Sequence, residues 1–383
     1  MKRYSRSLNL PKLLNQKSHF LFGARSTGKS TLIKDQLESA RVYDLLGASD
    51  YRRLLKRPET LREELSGYEG LVVIDEVQKL PLILDEVHWI LENRPNRFLL
   101  TGSSARKLKQ GGANLLAGRA WLAYLFPLTS HEITDFNLLR YLNYGGLPQV
   151  YQSQDPQREL DVYIDLYLRE EIKAESLTRN IGVFSEFLDL IALSNGEEIN
   201  MSSLASDCGV SPTAIKSYLS ILEDTQVGFT VPGLTLTRKR KGISRAKFYL
   251  FDVGVCGFIA KRGTVKEGSE LFGKTLEHFI ALELRAALSY HQIRANLHYW
   301  RSTSQIEVDF VIPGHMAIEV KSTTQVSSKH LKGLRALKEE NLDIPHHITI
   351  SLDSRPRQTS DGIQIYPVRE FLKDLWSGKL WAS

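Results

Sequence analysis

Apolar residues in this chain fall into short blocks, and the blocks change character along its length. In the first third, Phe20-Leu21-Phe22, Leu71-Val72-Val73-Ile74 and Phe98-Leu99-Leu100 are continuous apolar runs, as expected of strands buried on both faces. Between them lie segments with helical spacing, such as Thr31 to Leu37. Alternation of this kind predicts a parallel α/β sheet over residues 1–135. Residues 136–195 read as helical. Asp161 to Leu168 and Phe184 to Ile191 carry apolar residues three and four apart, and Asn195-Gly196-Glu197-Glu198 ends the pattern. This segment is expected to be a lid or connector. In residues 196–262, Met201 to Cys208 is a short helix and Gly209-Val210-Ser211 a turn. Ser211 then caps a second helix that has Pro212 at its first position. Ile215, Leu219 and Leu222 make its inward stripe. Strand-like segments follow at Gly228 to Leu236 and Lys247 to Phe251, which completes the pattern of a winged helix-turn-helix. Residues 263–383 return to α/β: a helix over Leu271 to His291, strands at Asn296–Arg301, Ile306–Ile312 and Met316–Ser322, then a helix at Lys329–Leu337.

Composition narrows the setting. No apolar stretch approaches the ~20 residues of a membrane helix, and the basic N-terminus lacks the apolar segment of a secretory signal. A cytoplasmic protein without a membrane partner is expected. Its two cysteines, Cys208 and Cys256, are far apart and cannot build a four-thiolate zinc site. His278, His298, His315, His346 and His347 show no zinc-ligand spacing. The net charge of +6 favours an anionic partner, though the position of the charge says more than its total.

The strongest chemical signal is Gly23-Ala24-Arg25-Ser26-Thr27-Gly28-Lys29-Ser30, between the first apolar run and a helix that opens on Thr31. It fits the phosphate-loop pattern together with the strand and helix that the pattern requires. Its glycines let backbone N–H groups face phosphate oxygens, and the helix N-terminus adds positive potential. Lys29 is expected on the β- and γ-phosphates and Ser30 on Mg²⁺. The second apolar run, Leu71 to Ile74, ends in Asp75-Glu76. Asp75 is expected to hold the same Mg²⁺ through water, and Glu76 to activate the attacking water. Thr101 and Ser103, which end the next strand, are placed to sense the γ-phosphate. Arg119, after Gly118, is the candidate finger for transition-state charge, with Arg25 and Arg106 as weaker alternatives. A finger acting in trans would require neighbouring subunits, so a homo-oligomer is one expectation. Nucleoside-triphosphate hydrolysis is the expected activity.

Nucleic acid is the second expected partner. Arg238-Lys239-Arg240-Lys241 forms a cationic hairpin tip, with Arg245 and Lys247 beyond it. Thr213, Lys216, Ser217 and Ser220 lie off the inward stripe of the second helix. Only Lys216 among them is basic, so phosphate contacts rather than base reading are expected. A structural or protein-binding helix pair is the alternative.

The last third suggests another site. A three-residue turn, Pro313-Gly314-His315, pairs Ile312 with Met316 and puts Asp309 opposite Glu319. Like charges there are unfavourable unless a cation lies between them, and Mg²⁺ suits sparse carboxylate ligation. Lys321 shares their face. Glu277 sits among Ile280, Ala281 and Leu284 on its helix, away from an obviously wet face.

The order phosphate loop, Ile74-Asp75-Glu76, Leu100-Thr101-Gly102-Ser103-Ser104, Ala117-Gly118-Arg119, Tyr144-Gly145-Gly146-Leu147-Pro148 resembles AAA+-type ATP-binding proteins with an AAA_14 core and a DUF4143 C-terminal region. That resemblance implies ATP as nucleotide and an AAA+-like core. The C-terminal constellation resembles the PD-(D/E)xK nuclease-like core, with Glu277, Asp309, Glu319 and Lys321 at its pattern positions and Val308 where a proline often stands. It implies metal-dependent phosphodiester cleavage. The expected architecture is therefore a P-loop AAA+-like domain (1–135), a helical connector (136–195), a winged helix-turn-helix (196–262) and a PD-(D/E)xK-like α/β domain (263–383). Two functions compete: an ATPase controlling a nuclease, and an ATP-gated binding switch with a catalytically silent nuclease-like scaffold.

Overall fold

The computed structural model describes residues 3–104, 106, 115–168, 181–235 and 242–381. The N-terminal region is a parallel sheet of Ser18–Phe22 (β1), Arg41–Asp44 (β2), Leu71–Asp75 (β3), Arg97–Gly102 (β4) and Ala120–Tyr124 (β5), in the order β2-β3-β4-β1-β5. Successive side chains point to opposite faces of a strand. Phe20, Phe22, Ile74, Phe98 and Leu100 accordingly pack with Ile83, Val87 and Ile90 of the helix Ile83–Asn93. Leu21, Val73, Leu99 and Ala123 pack on the other face with Leu32 and Ile33 of the helix Lys29–Gln36. Both faces are covered, which is why these strands read as unbroken apolar runs. The order also sets the ends of β3, β4 and β1 side by side.

Helices Leu138–Tyr144, Pro148–Gln152, Pro156–Val162 and Ile181–Leu193 follow, then Met201–Asp207 and Pro212–Asp224, then the antiparallel pair Gly228–Val231 (β6) and Lys247–Leu250 (β7). The Ser211 side chain caps the helix Pro212–Asp224 by accepting from the Ala214 N–H at 3.2 Å. The connector and the helix pair, read as two units from the sequence, share one hydrophobic core: Leu160, Phe184, Phe187 and Ile191 pack with Ile215, Tyr218 and Leu222. Helical spacing reports that a face is buried but not which partner covers it.

The C-terminal region is a mixed sheet in the order β12-β13-β11-β10-β9-β8, built from His298–Arg301 (β8), Glu307–Ile312 (β9), Met316–Val320 (β10), His346–Ser351 (β11), Arg357–Gln358 (β12) and Gln364–Pro367 (β13). Helices Glu270–Tyr290 and Val368–Trp376 cover one face, and Lys332–Lys338 covers the other. The β9–β10 hairpin pairs Ile312 with Met316 and Phe310 with Ile318, the register expected from its turn. No helix among the described residues is long and apolar enough to cross a membrane.

Buried acids fasten the regions together. Asp252 caps the helix Val253–Ile259 through the N–H groups of Gly254 and Val255, and also accepts from the Gly146 N–H at 2.7 Å. Gly145 has φ +76, and a β-carbon on it would lie 1.9 Å from an Asp252 oxygen, so only glycine fits there. Glu283, on the long helix, accepts from Ser130 N at 2.8 Å, Ser130 Oγ at 2.7 Å and Trp376 Nε1 at 2.6 Å. It thus ties the exit of the first sheet to the C-terminal helix. Burial pushes the Glu283 carboxyl up to about 7.

This sets a pH dependence. The folded value lies above the ordinary 4.5, so the contribution to stability is fully present below about 4.5 and is lost as pH rises through about 7. The loss is on the order of 3 kcal/mol. Urea unfolding of the wild type should show stability falling between about pH 5 and about pH 8. In Glu283→Gln this part of the slope should vanish.

Candidate functional site

The phosphate loop turns at the C-terminal end of β1. A β-carbon on Gly23 would lie 2.4 Å from the Leu125 carbonyl oxygen, and Gly28 has φ +98. Both positions therefore need glycine. Lys29 is buried at the start of the helix, and its Nζ donates to the carbonyls of Gly23 at 2.8 Å and Ala24 at 3.3 Å. Ala24 and Thr27 are buried, whereas Arg25, Ser26, Ser30 and Thr31 are exposed. Thr27 Oγ1 closes the loop internally on the Ala24 carbonyl at 2.9 Å.

Asp75 ends β3 beside this loop. One of its oxygens accepts from Ser30 Oγ at 3.1 Å, and the other accepts from Thr101 Oγ1 at the end of β4. A hydroxyl and a carboxylate at that separation are a suitable donor set for Mg²⁺ bound to a nucleotide phosphate, with water completing the shell. Glu76 follows with φ +59, a left-handed conformation that non-glycine residues seldom adopt. Its N–H donates to Thr101 Oγ1 at 3.3 Å. The fold thus brings together Lys29, Ser30, Asp75, Glu76 and Thr101.

Arg119 does not join them. It precedes β5, which pairs with β1 from Ser18↔Ala120 to Phe22↔Tyr124, while the phosphate loop follows Phe22. At about 3.3 Å per residue the two lie roughly 15–20 Å apart, at opposite ends of the sheet. Arg119 pairs with Glu92. A finger role within its own chain is thereby corrected. The apolar-run pattern located β5 but not the end of the sheet from which it starts.

Several contributors escaped sequence reading. Gln78 is buried, and its Nε2 donates to Glu76 Oε2 and, at 3.3 Å, to Ser103 Oγ. Arg6 Nη1 donates to the Thr27 carbonyl of the loop at 2.7 Å, and Nη2 donates to the Phe126 carbonyl at 2.6 Å. Arg6 also pairs with Glu132 at 3.1 Å. Tyr163 OH donates to the Arg25 carbonyl at 3.2 Å. Gln78 lies two residues from a recognised acid and was open to inspection. Arg6 and Tyr163 act on loop carbonyls 21 and 138 positions away, and no local pattern signals that.

In the C-terminal domain Glu277, Asp309, Glu319 and Lys321 fall in one region, but cations already occupy it. Lys247 is buried and bonds Glu307 at 2.6 Å and Glu277 at 3.3 Å. Tyr249 OH donates to Glu277 at 2.7 Å. Burial opposes the Lys247 charge, but Glu277 and Glu307 outweigh it and hold the ammonium above its ordinary range. Lys321 bonds Glu319 at 2.5 Å, and Asp309 accepts from Val320 N at 2.7 Å. Burial, and then Glu277, pushes the Asp309 carboxyl up to about 6. Burial, and then Asp309, raises Glu319 further. Among the described residues no group of three or more His, Cys, Asp or Glu side chains is arranged to hold a metal ion. Where Mg²⁺ was expected between Asp309 and Glu319, the structure sets the Lys321 ammonium on one oxygen of Glu319. Lys247, which follows the basic tip in sequence, is the buried counter-ion of the cluster.

On the helix Pro212–Asp224, Thr213, Lys216, Ser217 and Ser220 are exposed. Arg238, Lys239, Arg240 and Lys241 lie outside the described residues.

Three families match in succession: an AAA domain (AAA_14) at residues 15–134, a domain of unknown function (DUF8612) at 135–266, and a domain of unknown function (DUF4143) at 272–371. An uncharacterized protein of Mycobacterium tuberculosis is 27% identical over 340 residues, covering 85% of this chain and 75% of its own length. An uncharacterized protein of Haemophilus influenzae is 22% identical over 299 residues, covering 68% of this chain and 72% of its own length. Among solved structures, the Aeropyrum pernix ORC1 protein in complex with DNA matches at 14% identity, covering 64% of this chain and 86% of that one. The TM-score is 0.22, and at that value the two molecules do not superpose as wholes. The chain therefore carries an AAA domain (AAA_14) at residues 15–134 and a DUF4143 domain at residues 272–371.

Proposed function

We propose that this chain is an ATP-hydrolysing switch that acts on DNA, with its nuclease-like domain serving as a scaffold. The observation that carries the first part is the junction of Ser30, Asp75 and Thr101 beside Lys29. Lys29 leaves its loop carbonyls for the β- and γ-phosphates. Ser30 and Asp75 hold Mg²⁺, which when bound neutralises phosphate charge. Glu76 accepts the proton of the attacking water as that water adds to the γ-phosphorus and ADP leaves. Thr101 and Ser103 sense the γ-phosphate. Because Arg119 is far from its own loop, it serves as a finger only toward a neighbouring subunit's site.

The exposed polar row around Lys216 supports a backbone-contacting DNA surface, and the basic segment 238–241 follows later in the sequence, after β6. Buried Lys247 and paired Lys321 support the scaffold role, because the carboxylates they hold are unavailable to a metal. One observation favours nuclease chemistry as a second reading: Glu319 Oε2 is buried with no hydrogen-bond partner.

ATP turnover and duplex-DNA affinity, measured together, test the switch. The wild type should hydrolyse ATP and bind DNA with different affinity in ATP and ADP. Lys29→Ala should lose turnover at least ~100-fold while keeping its fold, and should lose the difference in affinity. Turnover persisting in that variant overturns the ATPase assignment, and equal DNA affinity in every nucleotide state overturns the switch.

The scaffold reading has its own test. No Mg²⁺- or Mn²⁺-dependent cleavage is expected, and Lys247→Met should cost ~3–5 kcal/mol in urea unfolding by leaving Glu277 without its ion-pair partner and Glu307 with Arg301 alone. Cleavage by the wild type that disappears in Asp309→Ala would establish the nuclease instead.

A further inference from the structure

Beside the expected water-activating acid sits a side chain with no assigned role. Gln78 begins its polar contacts at Glu76, where Nε2 donates to Oε2, and ends them at Ser103 Oγ on the tip of β4, 3.3 Å away. The amide orientation is fixed by chemistry, because an ionised carboxylate only accepts and must face the NH₂ group. The other end of the amide is unusual. Gln78 Oε1 is buried and has no hydrogen-bond partner. It lies 2.3 Å from where a β-carbon on Gly102 would stand, so the glycine leaves room for this group and for nothing larger. An orphaned buried carbonyl costs ~1–3 kcal/mol. It is therefore costly to keep at a site where an apolar side chain would fill the same space.

The direction of the bridge gives it a purpose. In the sheet, β4 lies between β3, which delivers Glu76, and β1, which delivers the phosphate loop. A carboxylate on β3 must therefore reach across the β4 tip to meet water in line with a γ-phosphate. Glu76 has φ +59, which turns it out of the strand direction. Gln78 holds the turned carboxylate by Oε2 and ties it to Ser103.

We propose that Gln78 is a positioning residue for ATP hydrolysis. It orients Glu76 over the β4 tip, and its orphaned carbonyl stands ready to accept a hydrogen bond when the site is loaded. This inference rests on Glu76 being the base. It predicts an effect on the chemical step and not on nucleotide affinity, because Gln78 makes none of the phosphate-loop contacts.

The test is steady-state ATP hydrolysis, expressed per nucleotide-binding site, for the wild type and for Gln78→Ala, Gln78→Glu and Glu76→Gln. Gln78→Ala should lower kcat roughly tenfold with KM changed less than about twofold. Gln78→Glu keeps the shape but removes the N–H group that holds Glu76, so its kcat should fall at least as far, again with KM nearly unchanged. A purely structural role would lower the number of folded sites and leave kcat per site unchanged. If Glu76→Gln is inactive while Gln78→Ala or Gln78→Glu turns over at the wild-type rate per site, this inference is overturned and the assignment of Glu76 stands. If Glu76→Gln retains wild-type turnover, the base assignment falls and this inference falls with it.

Discussion

The Asp75 carboxylate is the interaction on which the nucleotide site depends. It is mostly buried, a costly place for a charge, and it is satisfied by hydroxyls from two other elements, Ser30 on the loop helix and Thr101 on β4. Those partners reach it only because three parallel strands end at one level of the sheet. Shifting β3 by one residue would reverse its faces and turn the carboxylate toward a helix. The apolar packing of Val73 and Ile74 on opposite faces thus fixes a chemical position as well as a core.

The loop is also held from outside its own domain. Arg6 grips the Thr27 carbonyl and, through Glu132, the segment leaving the sheet. Tyr163 holds the Arg25 carbonyl from the middle region. Arg285 of the long C-terminal helix lies half-buried between the rings of Phe126 and Phe229 and bonds Gln226 at 2.9 Å, so three regions meet on one cation. Burial lowers that guanidinium to about 10. Any nucleotide-driven change in loop geometry alters contacts in the middle region directly. Such differential contacts are what a switch requires.

Local chemistry was legible in the sequence because its signals are local. The glycine spacing around Lys29, the apolar run ending in Asp75-Glu76, and the three-residue turn that sets Ile312 against Met316 each depend on neighbours in the chain. Partners distant in sequence were not legible. Lys247 read as the start of a strand beyond a basic tip, yet it is also the counter-ion of Glu277 and Glu307, which come from separate elements. Arg119 looked like a finger by its order in the chain, and only the pairing of β5 with β1 places it at the far end of the sheet. Asp252 accepts from the Gly146 N–H across 106 positions, a bond that no local pattern signals.

The most direct measurement of the central claim is binding and turnover of a fluorescent ATP analogue by Asp75→Asn, with Mg²⁺ and with chelator. If Asp75 joins Ser30 in holding the metal, the variant should still bind nucleotide in chelator as the wild type does. It should lose both the gain in affinity on adding Mg²⁺ and the turnover. Wild-type turnover and an undiminished Mg²⁺ effect in Asp75→Asn would contradict the account.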